Sequence, residues 1–119
     1  MSGASLIGTD LFNADLSSAN LINANLNKAK LDQANLSNAN LNNANLTDAH
    51  IVGANLSRAS LNGADLTRAY LNGADLSRAY LNGADLSGAH LQNAKVTQVQ
   101  LDQVKSLKDA TIPDGTIHG

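Results

Sequence analysis

The sequence contains no cysteine, tryptophan or glutamate, and its 119 residues include one proline, one phenylalanine and two tyrosines. The missing cysteine excludes disulfides, thiolate metal sites and a cysteine nucleophile. With so few aromatic rings, we do not expect a wide globular core. The formal net charge is only −2, so neither a basic nucleic-acid-binding surface nor a strongly acidic surface is present. Charge alone therefore indicates no class of partner, and we expect no nucleic-acid partner.

Long apolar runs are also missing. Polar residues interrupt the chain every few positions, so that 18 consecutive apolar residues never occur and a membrane span is excluded. The first residues, MSGASLIGTDLFNADL, have no basic segment followed by an apolar run, which is not the pattern of a signal peptide. We therefore expect a cytoplasmic protein without a membrane partner.

A five-residue repeat dominates what is present. Leu, Ile or Val occupies every fifth position from Leu6 to Leu101, which gives twenty units over residues 4–103. Ala stands two residues before each of these positions from Ala14 to Ala94. An α-helix would scatter residues five apart around its axis, and a flat strand would place them on alternating faces. The repeat therefore excludes both regular structures as continuous elements.

A short extended piece followed by a corner fits the repeat. Ala and Leu, two residues apart, both point inward on the extended piece, and the corner turns the chain before the next unit. Glycine occupies the last place of several units, where a positive φ suits a corner. The period predicts a closed coil of small sides, but it does not give the number of sides in each coil.

The runs ANLSNANLNNANLTDA and NGADLTRAYLNGADLSRAYLNGADL resemble the pentapeptide-repeat family. Its consensus is Ala, Asp or Asn, Leu or Phe, and then two variable residues. The resemblance extends over residues 4–103. It implies an all-β solenoid, a right-handed quadrilateral β-helix with four units per coil and about five coils in this chain.

The repeat decays after Leu101, and we expect a cap there. Thr97 can begin a short helix over residues 98–109, which we predict closes the last coil. Pro113 to Gly115 signal a turn that lets the tail fold back. We assign residues 1–103 to the β-helix and residues 104–119 to a cap and tail of the same domain. The tail also resembles those of family members, so we expect this terminus to be complete.

Four units per coil would stack residues twenty apart into surface columns about 4.8 Å apart. His50 and His90 would then lie on either side of Tyr70, too far apart to share a metal. We expect Arg68 and Arg78 to compensate the stacked carboxylates of one column. We also expect amide ladders that join Asn residues of successive coils. The predicted columns are Asp10, Lys30, His50, Tyr70 and His90; Asn25, Asn45, Asp65 and Asp85; Arg58 and Arg78; and the second amide pair, Asn20 and Asn40.

Two groups of residues are candidate partner contacts. The first group lies one place after the central Leu near the N-terminus, where it either folds over the open coil edge or forms an exposed apolar patch. The second lies in the later half and combines Tyr and Arg, which are favoured at interfaces; the alternative is a merely solvated face. The groups are Ile7, Phe12 and Ile22, and Arg58, Tyr70, Arg78 and Tyr80.

No set of residues suggests catalysis, a metal site or a cofactor, so we predict a protein that is not an enzyme. The first hypothesis is a structural scaffold for protein interaction, with an unknown protein partner, present as a monomer or a weak end-to-end dimer. A second is DNA mimicry, as in gyrase-modulating family members, but residues 4–103 hold eight Asp against six Lys and Arg. A third is a passive or engineered solenoid, which the near-perfect units of residues 62–88 favour.

Overall fold

The computed structural model describes residues 2–119. Its β-structure consists of single-residue parallel bridges, most of which join residues twenty apart, from Ser5 with Asn25 to Asp75 with Lys95. Four five-residue units therefore complete one coil, and each unit forms one of its four sides. The bridge residues of each side form a column: side 1 has Ser5, Asn25, Asn45, Asp65 and Asp85; side 2 has Asp10, Lys30, His50, Tyr70 and His90; side 3 has Asp15, Asn35, Asn55, Asp75 and Lys95; side 4 has Asn20, Asn40, Ser60 and Tyr80.

The interior of the coil is filled by the Leu and Ala of each unit, as the repeat predicts. The central residues from Leu21 to Leu91 are at most 1% exposed, and the Ala residues between them are buried as well. Each buried Leu contributes about 1.5–3 kcal/mol before conformational entropy is subtracted. Small Ala side chains beside the bulky Leu side chains let the four walls close around a narrow apolar column.

Corners occupy the last two places of each unit. The final residue adopts a positive φ, for example +67° at Gly73, +59° at Asn38 and +58° at Arg58. Glycine accepts this conformation without strain, whereas other residues pay about 1–2 kcal/mol for it. The stacking of successive coils must therefore outweigh the strain of the many non-glycine corners.

Backbone hydrogen bonds run mainly between coils. The N–H of Leu26 donates to the carbonyl of Asn45 at 2.7 Å, and the N–H of Asn45 donates to the carbonyl of Ala24 at 2.9 Å. Each corner adds one local bond, such as Ala29 N–H to the Leu26 carbonyl at 2.9 Å. Each interior coil consequently depends on its two neighbours for hydrogen bonding, as in other solenoids.

One helix, α1, covers Gln98–Leu101, so the predicted helix over residues 98–109 is much too long. Thr97 does cap it, as expected, with its side chain accepting from the Gln100 N–H. Beyond the helix the chain returns to the coil, where Lys105 N–H donates to Ala84 and Ser106 bridges Asp85. A longer helix would leave the upper edge of that coil unpaired, and this cost favours the return to β-pairing.

The chain ends in an antiparallel fold-back. Gly115 N–H donates to the Ile112 carbonyl at 2.8 Å, which confirms the predicted turn, and Thr111 bridges Ile117 in antiparallel orientation. Ile117 remains 72% exposed, so the fold-back covers backbone edges and buries little apolar surface. Over residues 2–119, no helix is long and apolar enough to cross a membrane.

Candidate functional site

Side 2 carries a column of stacked rings. The ring centroids of His50 and Tyr70 are 4.9 Å apart, those of Tyr70 and His90 are 4.7 Å apart, and the planes are nearly parallel. This confirms the predicted order, with Tyr70 separating the two imidazoles. The described residues contain no group of three or more His, Asp or Glu side chains that could hold a metal ion.

Side 1 stacks Asp65 below Asp85, and the predicted compensation by Arg68 and Arg78 is found only in part: the charge of Asp65 helps to raise the pKa of Arg68, but within residues 2–119 neither arginine forms an ion pair with Asp65 or Asp85. Arg68 instead forms a two-contact ion pair with Asp48, with Nε to Oδ1 at 2.9 Å and Nη2 to Oδ2 at 3.2 Å. Its hydrogen bond lowers the pKa of the Asp48 carboxyl. The guanidinium reaches the carboxylate directly below it in its own corner column more easily than a carboxylate three residues earlier on the side.

Asp85 forms its hydrogen bonds with Ser87, two residues on in the same unit. The Ser87 hydroxyl and the Ser87 N–H both donate to Asp85 Oδ1, at 2.6 and 3.0 Å. These bonds, the hydroxyl first, lower the pKa of Asp85, and nearby Lys105 acts in the same direction. The same pattern lowers the pKa of Asp15 beside Ser17 and of Asp75 beside Ser77. Aspartate followed two residues later by serine therefore stabilises the corner locally.

The predicted amide ladders at the bridge positions are also wrong. Within residues 2–119, no hydrogen bond joins Asn20 to Asn40 or Asn25 to Asn45. Their side-chain oxygens instead accept from the backbone N–H two residues on, as when Asn25 binds Asn27 N–H at 3.1 Å. Asparagine at this place closes a local turn, because its short side chain reaches its own corner before the next coil.

Cross-coil asparagine contacts that the sequence reasoning missed occur on several sides: Asn27 Nδ2 donates to the Thr47 carbonyl on side 1 and Asn72 Nδ2 donates to Gln92 Oε1 on side 2, both at 3.0 Å, and side 4 carries a column of them. They lie one place after the central Leu, where Asn42 Oδ1 accepts from Asn62 N–H and Asn62 Oδ1 accepts from Asn82 N–H, both at 3.0 Å. The twenty-residue spacing of these three residues was the available signal. The column tightens the stacking and leaves side 4 uncharged.

The seven candidate contact residues do not form one surface. Arg58 and Arg78 share the corner between sides 3 and 4, and Tyr80 follows on side 4 with 58% of its surface exposed. Tyr70 lies on side 2, which is opposite side 4 because residues ten apart lie half a coil from each other. Arg58, Arg78 and Tyr80 therefore form one group, which we call the arginine corner, and Tyr70 is separate from it.

A groove of about 490 Å³ adjoins the arginine corner. It exists because α1 departs from the regular coil above Arg78 and Tyr80. The sequence reasoning missed the groove residues Thr97, Gln100 and Gln103, because they lie where the repeat is interrupted and a repeat pattern does not predict their positions. The groove is lined by Arg78, Ala79, Tyr80, Thr97, Gln100 and Gln103.

The three apolar N-terminal candidates lie on three different sides. Ile7 follows side 1 and is 55% exposed, Phe12 follows side 2 and is 62% exposed, and Ile22 follows side 4 and is half-buried. Ile7 and Phe12 are thus both largely exposed to solvent. Another groove on the surface runs from Phe12 past Asp32 to His50.

The comparisons with known proteins agree with this geometry. The family model described as pentapeptide repeats matches in eight copies, over residues 1–38, 29–68, 39–78 and 69–105. No protein with a curated description matches the sequence significantly.

Solved structures with the same repeat are similar to the chain. A pentapeptide repeat protein from the Arabidopsis thaliana thylakoid lumen has a TM-score of 0.87 and 28% identity, covering 98% of this chain and 81% of its own. One from Nostoc PCC 7120 has a TM-score of 0.50 and 28% identity, covering 87% and 98%. HetL, from Nostoc sp. strain PCC 7120 and involved in heterocyst differentiation regulation, has 35% identity and a TM-score of 0.45, covering 99% and 63%. The likeness to the first two implies a right-handed β-solenoid.

Proposed function

This chain belongs to the pentapeptide-repeat family, and from that membership we propose that it is a non-catalytic scaffold for protein interaction. The observation that supports the proposal is that most side chains of the repeat are either buried or hydrogen-bonded within the chain. The inward positions are Leu and Ala, which form the apolar core. Most outward Asp and Asn side chains at the bridge positions accept a hydrogen bond from the backbone N–H two residues on and so stabilise the adjacent corner. Few outward side chains are therefore available to bind another molecule, and these are the candidates for a partner contact.

The arginine corner is the surface we propose for the partner. Arg58 and Arg78 form no ion pair within the part of the chain that the structure describes, in contrast to Arg68, which is bound to Asp48. Guanidinium groups prefer carboxylates, which they bind through two parallel hydrogen bonds. Because successive corners are one coil apart, Arg58 and Arg78 suit two acidic side chains presented at about 5 Å spacing.

Tyr80 and the adjoining groove extend this surface. Tyrosine supplies a large, rigid contact area together with a hydroxyl, and it is among the residues that dominate binding energy in interfaces. The groove beside it is lined by Thr97 and Gln103 as well as Arg78. We propose a partner protein that places an acidic segment along the arginine corner and one side chain in this groove.

We also propose that the C-terminal segment closes the solenoid, which would then have about five regular coils. The buried Gln100 supports this role, because its Nε2 donates to the carbonyls of Leu76 and Ala79 at 2.8 and 2.9 Å. At Ala79 the side chain thus replaces the backbone donor that the next coil would supply, whereas the Leu76 carbonyl also accepts from the Ala79 N–H at 3.0 Å, as in every corner. Because the C-terminal segment is anchored to the last coil, the residues that line the groove keep fixed positions.

The scaffold proposal is tested by affinity capture from a cyanobacterial lysate followed by quantitative mass spectrometry, since solved relatives come from Nostoc. Three baits are compared: the unchanged chain, the double variant Arg58→Glu with Arg78→Glu, and the control Arg68→Glu. The control reverses one charge, instead of two, on a different corner. We expect a partner enriched by the unchanged chain and by the control, and lost with the double variant.

Two other outcomes redirect the proposal. A partner retained by the double variant would move the contact away from the arginine corner. Capture of nothing specific would favour the passive or engineered solenoid. The cytoplasmic compartment stays a prediction, and the origin of the Arabidopsis relative makes the thylakoid lumen the alternative to test by localising a tagged chain.

A further inference from the structure

Three Asn-Gly pairs occur in the later half of the chain, and all three lie in the same local sequence. Each pair stands within Leu-Asn-Gly-Ala-Asp, with the asparagine one place after the central Leu of its unit. Asparagine followed by glycine is especially prone to deamidation, because glycine has no side chain that shields its backbone nitrogen. Since the neighbouring residues are identical, a difference in reactivity among the folded pairs must come from the fold. The asparagines are Asn62, Asn72 and Asn82.

The reaction needs only water. The backbone nitrogen of the glycine attacks the side-chain carbon Cγ of the asparagine, loses its proton to solvent, and expels the side-chain amide nitrogen as ammonia. The resulting succinimide ring is then opened by water at either of its carbonyls. One opening gives aspartate. The other gives isoaspartate, in which the main chain runs through the former side chain and is longer by a methylene group.

The regular corner opposes this attack at all three pairs. At the third pair the Ala84 N–H donates to the Leu81 carbonyl at 3.1 Å, and the second corner residue, Gly83, has a φ of +71°, as in a type II turn. The residue before the glycine then has a ψ of about +120°, which turns the glycine nitrogen away from the asparagine side chain. Gly63 and Gly73 have φ values of +69° and +67° in equivalent corners. Each corner must therefore open before its asparagine can react.

Two of the asparagines are held by the coil above them. Asn62 Oδ1 accepts from the Asn82 N–H at 3.0 Å, and Asn72 Nδ2 donates to Gln92 Oε1 at 3.0 Å. Both of these asparagines are half-buried. Their side-chain contacts must break, in addition to the corner, before the side-chain carbon can approach the glycine nitrogen.

Asn82 is the least restrained of the three. Within the described part of the chain its side chain forms no hydrogen bond, and both Asn82 and Gly83 are exposed. The Gly83 N–H donates to the Gln103 carbonyl at 2.9 Å, and Gln103 is an exposed residue of the irregular turn after α1. The equivalent N–H groups of Gly63 and Gly73 donate to regular coils. Local opening of the turn after α1 therefore frees the Gly83 nitrogen without unfolding the coils below.

We propose that Asn82 is a site of spontaneous deamidation, reached by local opening of the turn after α1 while the rest of the solenoid stays folded. The product places a carboxylate in the uncharged asparagine column of side 4. Isoaspartate also displaces the Gly83 N–H from the Gln103 carbonyl, because the main chain becomes longer at this point. Since Gln103 lines the groove beside the arginine corner, the reaction alters that groove as the protein ages. The proposal holds whether or not the arginine corner binds a partner.

The test compares the three pairs within one sample, because trypsin releases each of them on a separate peptide. The folded chain is incubated at mildly alkaline pH, digested, and analysed by mass spectrometry with fragmentation that locates the modified residue and distinguishes isoaspartate from aspartate. A sample taken at the start corrects for reaction during digestion. We expect deamidation at Asn82 in peptide 79–95 well before deamidation in peptides 59–68 and 69–78. In urea-unfolded chain the three pairs should react at equal rates, and equal rates in the folded chain would overturn the proposal.

Two variants test the route of the reaction. Gln100→Leu removes side-chain hydrogen bonds that anchor α1 and should raise the rate at Asn82 about fivefold to thirtyfold through easier opening. Leu31→Ala lowers the overall stability from a buried position more than two coils below and should leave the rate at Asn82 unchanged. A rate that rises with Leu31→Ala, or that does not respond to Gln100→Leu, would place the reaction in the globally unfolded chain and contradict the proposal.

A third variant tests the attacking atom. Gly83→Asn introduces a residue type that already adopts a positive φ at Asn43 in the same corner column, and its side chain shields the backbone nitrogen. The reaction at Asn82 should become much slower, whereas the matched control Gly73→Asn should leave it unchanged. An unchanged rate in Gly83→Asn would exclude attack by the glycine nitrogen. Unfolding curves of each variant establish that the chains compared are folded.

Discussion

The first coil and the C-terminal segment of this solenoid differ in how the outer backbone edge of the coil is covered. A regular coil leaves its outer edge unpaired, and at the C-terminus a short helix, a buried glutamine side chain and an antiparallel fold-back cover that edge. At the N-terminus the first coil follows the repeat to its edge, and its central leucines remain partly exposed. The difference shows that the repeat does not cover its own edge, and that the C-terminal cover is built from residues outside the repeat.

Interior leucines give the largest test of this comparison. Leu61→Ala, in a fully enclosed coil, should lower the free energy of unfolding by about 2–5 kcal/mol. Leu11→Ala, in the open coil, should cost about half as much, because part of its surface is already hydrated. Urea unfolding followed by circular dichroism measures both. Equal losses would mean that the first coil is as well covered as the others.

Gln100 tests the covered end. Gln100→Leu should lower the free energy of unfolding by about 1–2 kcal/mol, because the Ala79 carbonyl loses its hydrogen-bond donor in a buried place, whereas the Leu76 carbonyl still accepts from the Ala79 N–H. The exposed Gln103→Leu is the control and should change little. If thermal unfolding of the two variants coincides, the glutamine does not maintain the covered end.

Removing the ion pair between Arg68 and Asp48 tests how much a side-chain contact between two interior coils contributes to stability. Asp48→Asn should lower the free energy of unfolding by about 0.2–1 kcal/mol, since both side chains are accessible to solvent. The loss should shrink in 1 M NaCl, where charges are screened. A salt-independent loss would attribute the effect to the strain of the corner and not to the ion pair.

The smallest expected effect concerns acid stability and compares equivalent carboxylates near the two ends. The pKa of Asp15 is lowered by Ser17 and that of Asp85 by Ser87. A lowered pKa contributes stability above the unfolded value near 3.8, and this contribution is lost as pH falls through the folded value. Ser87→Ala should therefore raise the pKa of Asp85 and leave that of Asp15 unchanged. Carboxyl NMR titration measures both values, and a shift of Asp15 alone would contradict the local origin.

Much of the regular body follows from the sequence. The inward Ala and Leu, the corner after each pair, and the columns of residues twenty apart all appear as predicted, including the ring order of His50, Tyr70 and His90. The period gave the inward positions because a five-residue repeat is incompatible with a helix or a flat strand. The number of sides required the family resemblance, since the period by itself allows other closed coils.

The side-chain partners could be predicted less well. Column order alone suggested amide ladders for Asn25 and Asn45, whereas the corner geometry brings each side-chain oxygen closer to its own backbone N–H. It also suggested Arg68 for Asp65, whereas the guanidinium reaches Asp48 one coil below. Distances of one or two ångströms decide between such partners, and a repeat pattern does not specify them.

The sequence by itself determined the solenoid, its dry Leu and Ala column and the absence of a cysteine-based site, because each depends on a local pattern repeated without interruption. Only the tertiary structure decided how the chain continues once the repeat decays. It ended α1 at Leu101, inserted one extra residue where Lys105 and Ser106 both face Asp85, and aimed Gln100 at two buried carbonyls. The physical reason is that the ends are set by competition for unpaired backbone groups, which depends on the coil below and not on the neighbouring residues in the chain.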